Sequence, residues 1–548
     1  MTTPMKIGEG RDWSFMHGAW ADGPDGELVP PTGRDVEYMA VKHDEAYADF
    51  SARFRFRFRG GYGGARFLFR VQDSRRFYVL DIPWCGQQVR ARHFWAGIAI
   101  ADGTPLQRYL NFNLVPGLCA RCQDWYEARV EAKGSHLRAW IDGRPVADVE
   151  DDTYEAGRLG LCSIVTATFD GANFARLEIE GTPVRGPKWR DLETPRPHWI
   201  TPCPETDPNV PQSHGSFIQS NSGAVALGII FGNPNGCEVR RGVIVRSTDA
   251  GRTWSPPEAP MLQPRGGAGA YVLGGRGNFV RRDGEWVCVF VKEDKAKGYL
   301  YSYDSPDEGR NWTGPHKLNI HGQWPEGWAL VETWRVVRMH DGTLVLPVIA
   351  RIEEPNQDDS PPGEDFCACF ALRSEDDGRT WSPPVRCDSQ VADPRLPIET
   401  NTAEHRLSAI IYEVGLAEAE DNVLLGIGRP HRDLYMWQIQ SNDGGHIWEP
   451  AAIGPFPGYC PSLTRTAGGA LVATTRFPYF AAHLSRDGGR TWDLPVIVDY
   501  AMWANQDAIE VEPNVVLVSY IGDILGPGRA DSRIARLRVT SGGLRLEH

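Results

Sequence analysis

Five octapeptides of one pattern, Ser-x-Asp-x-Gly-x-x-Trp, recur along this chain: STDAGRTW from Ser247, SPDEGRNW from Ser305, SEDDGRTW from Ser374, SNDGGHIW from Ser441 and SRDGGRTW from Ser485. Their starts lie 58, 69, 67 and 44 residues apart, intervals that suit four short antiparallel strands per repeat with loops of variable length. Each residue type has a turn role: Asp bonds nearby backbone amides, Gly takes a positive φ, and Trp seals the apolar gap beneath. Alternating strand patterns place repeat units near 212–262, 268–320, 328–392, 405–455 and 458–500. A sixth unit without an octapeptide follows, with three strands in DAIEVEPNVVLVSYIGD from Asp507 and RIARLRV from Arg533. Its fourth strand is expected near His198–Cys203, before the first unit, a closure that would leave a ring no open edges.

These octapeptides resemble the Asp boxes of the sialidase superfamily, a likeness covering about residues 205–545. The resemblance implies a six-bladed β-propeller over 205–548. In that family the box joins the third and fourth strands at the rim, which makes Asp307, Asp376 and Asp443 poor catalytic candidates. Residues 1–185 carry a different cadence: FSARFRFRFR, ARFLFRVQD, RFYVLDI, WYEARVEAK, LRAWIDGRPVADVED and FARLEIEG read as alternating strands, with almost no helical periodicity. The stretch from Trp125 to Leu161, with its Asp142-Gly143 turn, resembles laminin-G and concanavalin-like jelly rolls. The fold class is therefore all-β, an N-terminal lectin-like β-sandwich followed by the propeller. Residues 186–204, rich in proline and charge, serve as linker and possible closing strand.

The family resemblance directs attention to the innermost strands. YEVGLAEAEDNVLLGIGR puts Glu413 at the start of one strand and Arg429 at the end of the next, an arrangement like that of sialidases, where the glutamate supports the nucleophile and the arginine holds the substrate carboxylate. A guanidinium offers a planar fork to a carboxylate, and a buried glutamate accepts a proton or polarises a hydroxyl; the same two residues also suit a structural ion pair. Arg476, in YCPSLTRTAGGALVATTRFPYF, occupies the corresponding strand end and resembles a further carboxylate-binding arginine. ETWRVVRMHDGTLVLPVIAR adds Glu332, Arg335 and Arg351, which suit a ligand contact in the cleft or a surface ion pair, and Trp334 and Tyr459 are flat faces that would either stack on a sugar ring or fill the core.

Two positions depart from the family. SHGSFIQ leaves His214 where sialidases carry their first carboxylate-binding arginine, and WANQDAIEV puts Asn505 or Gln506 where they carry the nucleophilic tyrosine. A carboxylate, Glu238 in NGCEVRRG, stands in the loop that holds the family's acid/base aspartate. The resemblance thus implies a glycosidase for an acidic sugar, of sialic- or uronic-acid type, with Glu413, Glu238 and His214 as the proton-transfer set. A uronic-acid lyase working through His214 and Tyr459, and a glycan-binding protein without catalysis, are the alternatives.

Composition narrows partners. The net charge of −13 disfavours nucleic acid, and no apolar run is long enough to span a bilayer. The first twenty residues lack the basic start and apolar stretch of a secretory signal, so the chain is expected to be cytoplasmic, or exported with its signal already removed. Eleven scattered cysteines read as free thiols. The close pairs Cys119/Cys122 and Cys367/Cys369 have no second pair at zinc spacing, and neither metal nor cofactor is expected.

Overall fold

The computed structural model describes residues 13–31, 37–60, 62–85, 94–115, 118, 121–165, 171–186, 188–190, 192–193, 199–203, 212–233, 238–259, 261–263, 276–294, 297–352, 367–388, 411–430, 435–501, 507–522 and 531–547. Strands make up nearly all regular structure among them, the exception being a short 3-10 turn at Pro24–Gly26. The chain divides into two compact units: residues 1–198 with 477–482 and 494–502, and residues 199–476 with 483–493 and 503–548.

The first unit is a β-sandwich. One sheet runs Arg144–Glu150, His136–Ile141, Tyr126–Lys133, Ala46–Phe58, Ala172–Val184, Glu27–Val29 and Ala21–Asp22. The other runs Trp13–Met16, Glu37–Lys42, Arg158–Ile164, Tyr62–Asp73, Arg76–Cys85, Phe94–Asp102, Gln107–Tyr109 and Val496–Asp499. Alternation decides what faces inward. In FSARFRFRFR, Phe50, Ala52, Phe54, Phe56 and Phe58 are buried while the intervening arginines face out, and Phe54 stacks on Phe67 of the opposite sheet at 5.0 Å.

The same alternation sends Arg66 to the far face of its sheet, yet it is 0% exposed. Its guanidinium lies 2.9 Å from Glu37 and 3.1 Å from Asp81, and donates to the Tyr500 hydroxyl at 2.8 Å. Asp81 also accepts from Tyr109 and, at 3.0 Å, from Tyr479. Burial pushes all three phenols well up, so they stay protonated donors. Tyr479 and Tyr500 belong to the two late segments of this unit, and the cluster accounts for their place in it.

The second unit is a β-propeller. Its sheets are Gln212–Gln219, Val225–Asn233 and Glu238–Ser247; then Gly277–Val280, Trp286–Asp294, Lys297–Ser305 and Asn311–Lys317; then Trp328–Thr333 with Val337–Arg338, Leu344–Ile352, Cys367–Ser374 and Val385–Arg386; then Ile411–Glu420, Val423–Pro430, Tyr435–Ser441 and Ala452–Pro457; and last Asp507–Glu512, Val515–Ile521, Ser532–Thr540 and Gly543–Leu546. Between the fourth and last sheets stands the hairpin of Ser462–Arg465 and Leu471–Thr475. Gln212–Gln219 packs on Gly277–Val280, Ile411–Glu420 on Ser462–Arg465, and Ser462–Arg465 on Asp507–Glu512, which packs on Gln212–Gln219 to close the ring.

Three expectations change. Five separate sheets and the hairpin Ser462–Thr475 stand where six four-stranded blades were expected. The fourth strand of the last sheet is Gly543–Leu546, so the stretch near Cys203 supplies only an isolated bridge, Ile200 to Ile534. Met261–Gln263, at the end of the repeat expected over 212–262, pairs in parallel with Asn311–Lys317 of the second sheet.

All five octapeptides fold alike. The serine hydroxyl donates to the aspartate (Ser374 to Asp376, 2.8 Å) and accepts from the glycine amide (Gly378, 2.8 Å), while the aspartate accepts the amide four residues on (Thr380, 2.8 Å). Gly378 has φ +82°, and a Cβ there would fall 2.4 Å from the Phe279 ring of the neighbouring sheet. These aspartates are committed to turns. Their carboxyls sit below the usual range: burial opposes, and the turn's hydroxyl and amide donors win, to about 2 in Asp249.

Eight cysteines among the described residues carry no disulfide, and all but Cys122 are buried. Cys119 lies outside the described residues.

The Arg66 cluster yields a test. Arg66→Met leaves two buried carboxylates without their cation, and is expected to lower unfolding stability by about 3–5 kcal/mol in denaturant titrations of the whole chain.

Candidate functional site

The site forms where antiparallel hairpins bring strand ends together. Glu413 and Arg429 are sixteen residues apart in sequence but directly opposite in register, and Arg429 Nη1 lies 3.1 Å from Glu413 Oε2. The Arg476 amide donates to the Tyr459 carbonyl at 3.1 Å, which fixes the next strand ends beside them. The guanidiniums of Arg429 and Arg476 lie 4.8 and 5.5 Å from the Tyr459 ring centroid. Cys460, held at φ +48°, follows in the backbone and is fully buried.

A third cation joins from the second sheet. Arg276, immediately before Gly277–Val280, places Nη1 3.9 Å from Cys460 Sγ, Nε 3.9 Å from Glu332 Oε1 and its guanidinium 4.1 Å from the Trp334 ring. Reading the sequence did not single out Arg276 or Cys460. The signal was available for Arg276: it ends the glycine-rich run RGGAGAYVLGGRG and opens an innermost strand, as Glu413 does.

Electrostatics separate the two glutamates. Burial by itself would raise the Glu413 carboxyl, but the guanidiniums of Arg429, Arg476 and Arg276 outweigh it and hold the group below the usual carboxylate range. Glu332 is only part-buried, yet the protein packed around it raises its carboxyl by desolvation; the Glu413 charge adds to the rise, and Arg276 offsets it only in part. Arg276 and Arg429 are held more firmly protonated than usual: burial acts against the charge, and the neighbouring acidic groups prevail. Three guanidiniums around one fixed carboxylate can receive a second anionic group, and two carboxyls pushed apart in pKa can divide the roles of acid and anion.

The structure therefore brings Glu413, Arg429, Arg476, Tyr459, Glu332 and Trp334 into one cluster. It revises the part expected of the aromatics. Trp334 and Tyr459 are 3% and 5% exposed, and guanidiniums occupy their faces, so they support the arginines and offer no open stacking surface to a sugar. Arg335 is also reassigned: it pairs with Asp507 at 2.6 Å, and Asp507 accepts the Phe217 amide at 2.7 Å, a tie between the third, last and first sheets. Arg351 sits on the neighbouring strand opposite Ala329, three residues before Glu332. His214 lies opposite Ile229 and Glu238 opposite Asn233 in the first sheet; their side chains lie outside the described residues, as do Asn505 and Gln506.

The far mouth of the ring holds a cavity of about 570 Å³ lined by Ser220, Arg338, Glu418, Thr466 and Glu510 among others. Its carboxylates are engaged: Glu418 accepts the His340 and Asn422 amides at 2.7 and 3.0 Å, and Glu510 those of Ala467 and Asn514 at 2.7 Å each. Each latches one hairpin turn to the next. Among the described residues no three His, Cys, Asp or Glu side chains are grouped to hold a metal ion.

Residues 8–191 match the family described as 3-keto-alpha-glucoside-1,2-lyase-like domain. No curated protein sequence matches the chain. Among solved structures, the chain is similar to a Hadza microbial sialidase (13% identity, TM-score 0.47, covering 93% of this chain and 98% of that one). It is also similar to the NanB sialidase of Streptococcus pneumoniae (10%, 0.41, 93% and 99%) and to the alpha-L-arabinanase of Penicillium chrysogenum solved with arabinobiose (14%, 0.41, 62% and 98%).

The Asp507 tie holds the seam of the ring. Asp507→Ala removes the partner of both Arg335 and the Phe217 amide, and is expected to cost about 3 kcal/mol of stability, as denaturant titration would show.

Proposed function

We propose that the chain is a glycoside hydrolase acting on a sugar that bears a carboxylate. The observation that carries the reading is the convergence of Arg276, Arg429 and Arg476, from three different positions around the ring, on one buried carboxylate, Glu413. Guanidiniums grouped in this way suit recognition of an anionic group through charge-assisted, planar hydrogen bonds. The arginines hold the sugar carboxylate, and Glu413 fixes their geometry and supplies negative charge where an oxocarbenium-like transition state develops positive charge. His214 and Glu238, on the first sheet of the same ring, remain in the proton-transfer set. The likeness of residues 8–191 to a sugar lyase-like family points in the same chemical direction. In this reading the hairpin Ser462–Thr475 and the strands that follow it stand for the sixth blade of a sialidase-type ring.

A second reading, a uronic-acid lyase, rests on Tyr459. Its ring lies against two guanidiniums that would also neutralise a substrate carboxylate, the setting for proton abstraction beside that group. Product analysis separates the two. Incubation with sialylated glycans, uronic-acid polysaccharides and neutral oligosaccharides, followed by mass spectrometry, is expected to give products that have gained water from the acidic substrates only. Glu413→Gln is expected to lower their formation by roughly 10²–10⁴-fold. Unsaturated products would establish the lyase, and full activity in Glu413→Gln would remove Glu413 from the mechanism.

A further inference from the structure

The two carboxyl groups of the cluster differ in access as much as in charge. Glu413 is 9% exposed and bound to Arg429; Glu332 is 39% exposed, and its ion-pair partner among the described residues, Arg276, stands at 3.9 Å, beyond hydrogen-bonding distance. The backbone beneath Glu332 is fixed on both sides. A register shift between Leu330 and Glu332 bulges the strand, the kind of irregularity that re-aims a side chain. Thr333 then donates to the Val289 carbonyl at 3.1 Å, and the Trp334 amide to the Pro347 carbonyl at 2.9 Å, with the indole packed under Arg276. An accessible carboxyl on a rigid strand, beside the anion-holding arginines, is placed to reach the leaving group of a sugar whose carboxylate those arginines hold.

The geometry points to Glu332 as the proton donor of the reaction, an inference that rests on the glycosidase reading above. The glycosidic C–O bond breaks with its electron pair going to the aglycone oxygen, and that oxygen takes the Glu332 proton. Water then forms a new bond to the anomeric carbon and passes a proton to the Glu332 carboxylate, which restores the acid; the sum is glycoside plus water giving sugar plus alcohol. Arg276 stabilises Glu332 while it is ionised between the two steps. Glu413, caged by guanidiniums, keeps its charge throughout. The raised proton affinity of Glu332 agrees with the donor role, and activity should fall as pH rises through it.

Two measurements on the full chain test this. With methyl and 4-methylumbelliferyl glycosides of sialic and glucuronic acid, Glu332→Gln is expected to lower kcat on the methyl glycosides by roughly 10²–10⁴-fold and on the umbelliferyl ones by less than about 10-fold. KM should be unchanged and the alkaline limb of the pH profile lost. Equal losses on both aglycones, or a KM change with the limb retained, would overturn the assignment. Without substrate, the wild-type-minus-Glu332→Gln infrared difference spectrum should contain a protonated-carboxyl band above pH 4.5, over and above the contributions of other buried carboxyls such as Asp388; absence of that difference band would overturn the assignment whatever the kinetics. No turnover of any glycoside, with the band present, would count against the glycosidase reading and leave the carboxyl assignment supported.

Discussion

A ring of sheets stands or falls at its seam, where the first and last strands must meet although they are nearly three hundred residues apart in the chain. Here Asp507 makes that junction. Its buried carboxylate accepts the Phe217 amide of the first sheet and pairs with Arg335 of the third, so one side chain fixes three innermost strands. Around the rest of the circle the same device recurs in weaker form: Glu418 and Glu510 each accept amides from two hairpin turns. The octapeptide turns then seal the outer part of the first four sheets, and at Gly251, Gly378 and Gly489 an added methyl would collide with a side chain of the neighbouring sheet. Closure gives every inner strand a fixed start, and the candidate site is built from those starts.

Strand content and ring architecture were legible because they rest on local, periodic signals. The serine, aspartate and glycine of each octapeptide satisfy one another within a few residues, so nothing distant is needed to read them. The Phe/Arg alternation of residues 50–58 is likewise self-contained. What escaped was set by long-range contact. The role of Gly543–Leu546 depends on pairing with Leu537–Thr540, and that of residues 477–482 and 494–502 on the buried Arg66 cluster more than four hundred positions away. Neither leaves a mark in its own segment.

The site divides the same way. Glu413 and Arg429 were readable as a pair because a hairpin enforces their register. Arg276 was not, since its membership depends on where the second sheet sits around the ring. The aromatics were misjudged for a physical reason: a Trp or Tyr beside arginines at a strand end is as useful beneath a guanidinium as beneath a sugar, and only exposure distinguishes the two. The outcome is a cluster that, among the described residues, sets three guanidiniums against one firmly ionised carboxylate, with Glu413 fixed as an anion and Glu332 biased toward its neutral form.

That imbalance is the centre of the account, and calorimetric binding of free sugars measures it most directly. Titration of the protein with N-acetylneuraminate and with glucuronate, against glucose as the neutral counterpart, should show binding of a carboxylate-bearing sugar alone, weakened by roughly 10-fold or more in Arg476→Ala, as expected for loss of a charged hydrogen bond. Equal affinity for glucose, or acid binding untouched by Arg476→Ala, would contradict the account at its root.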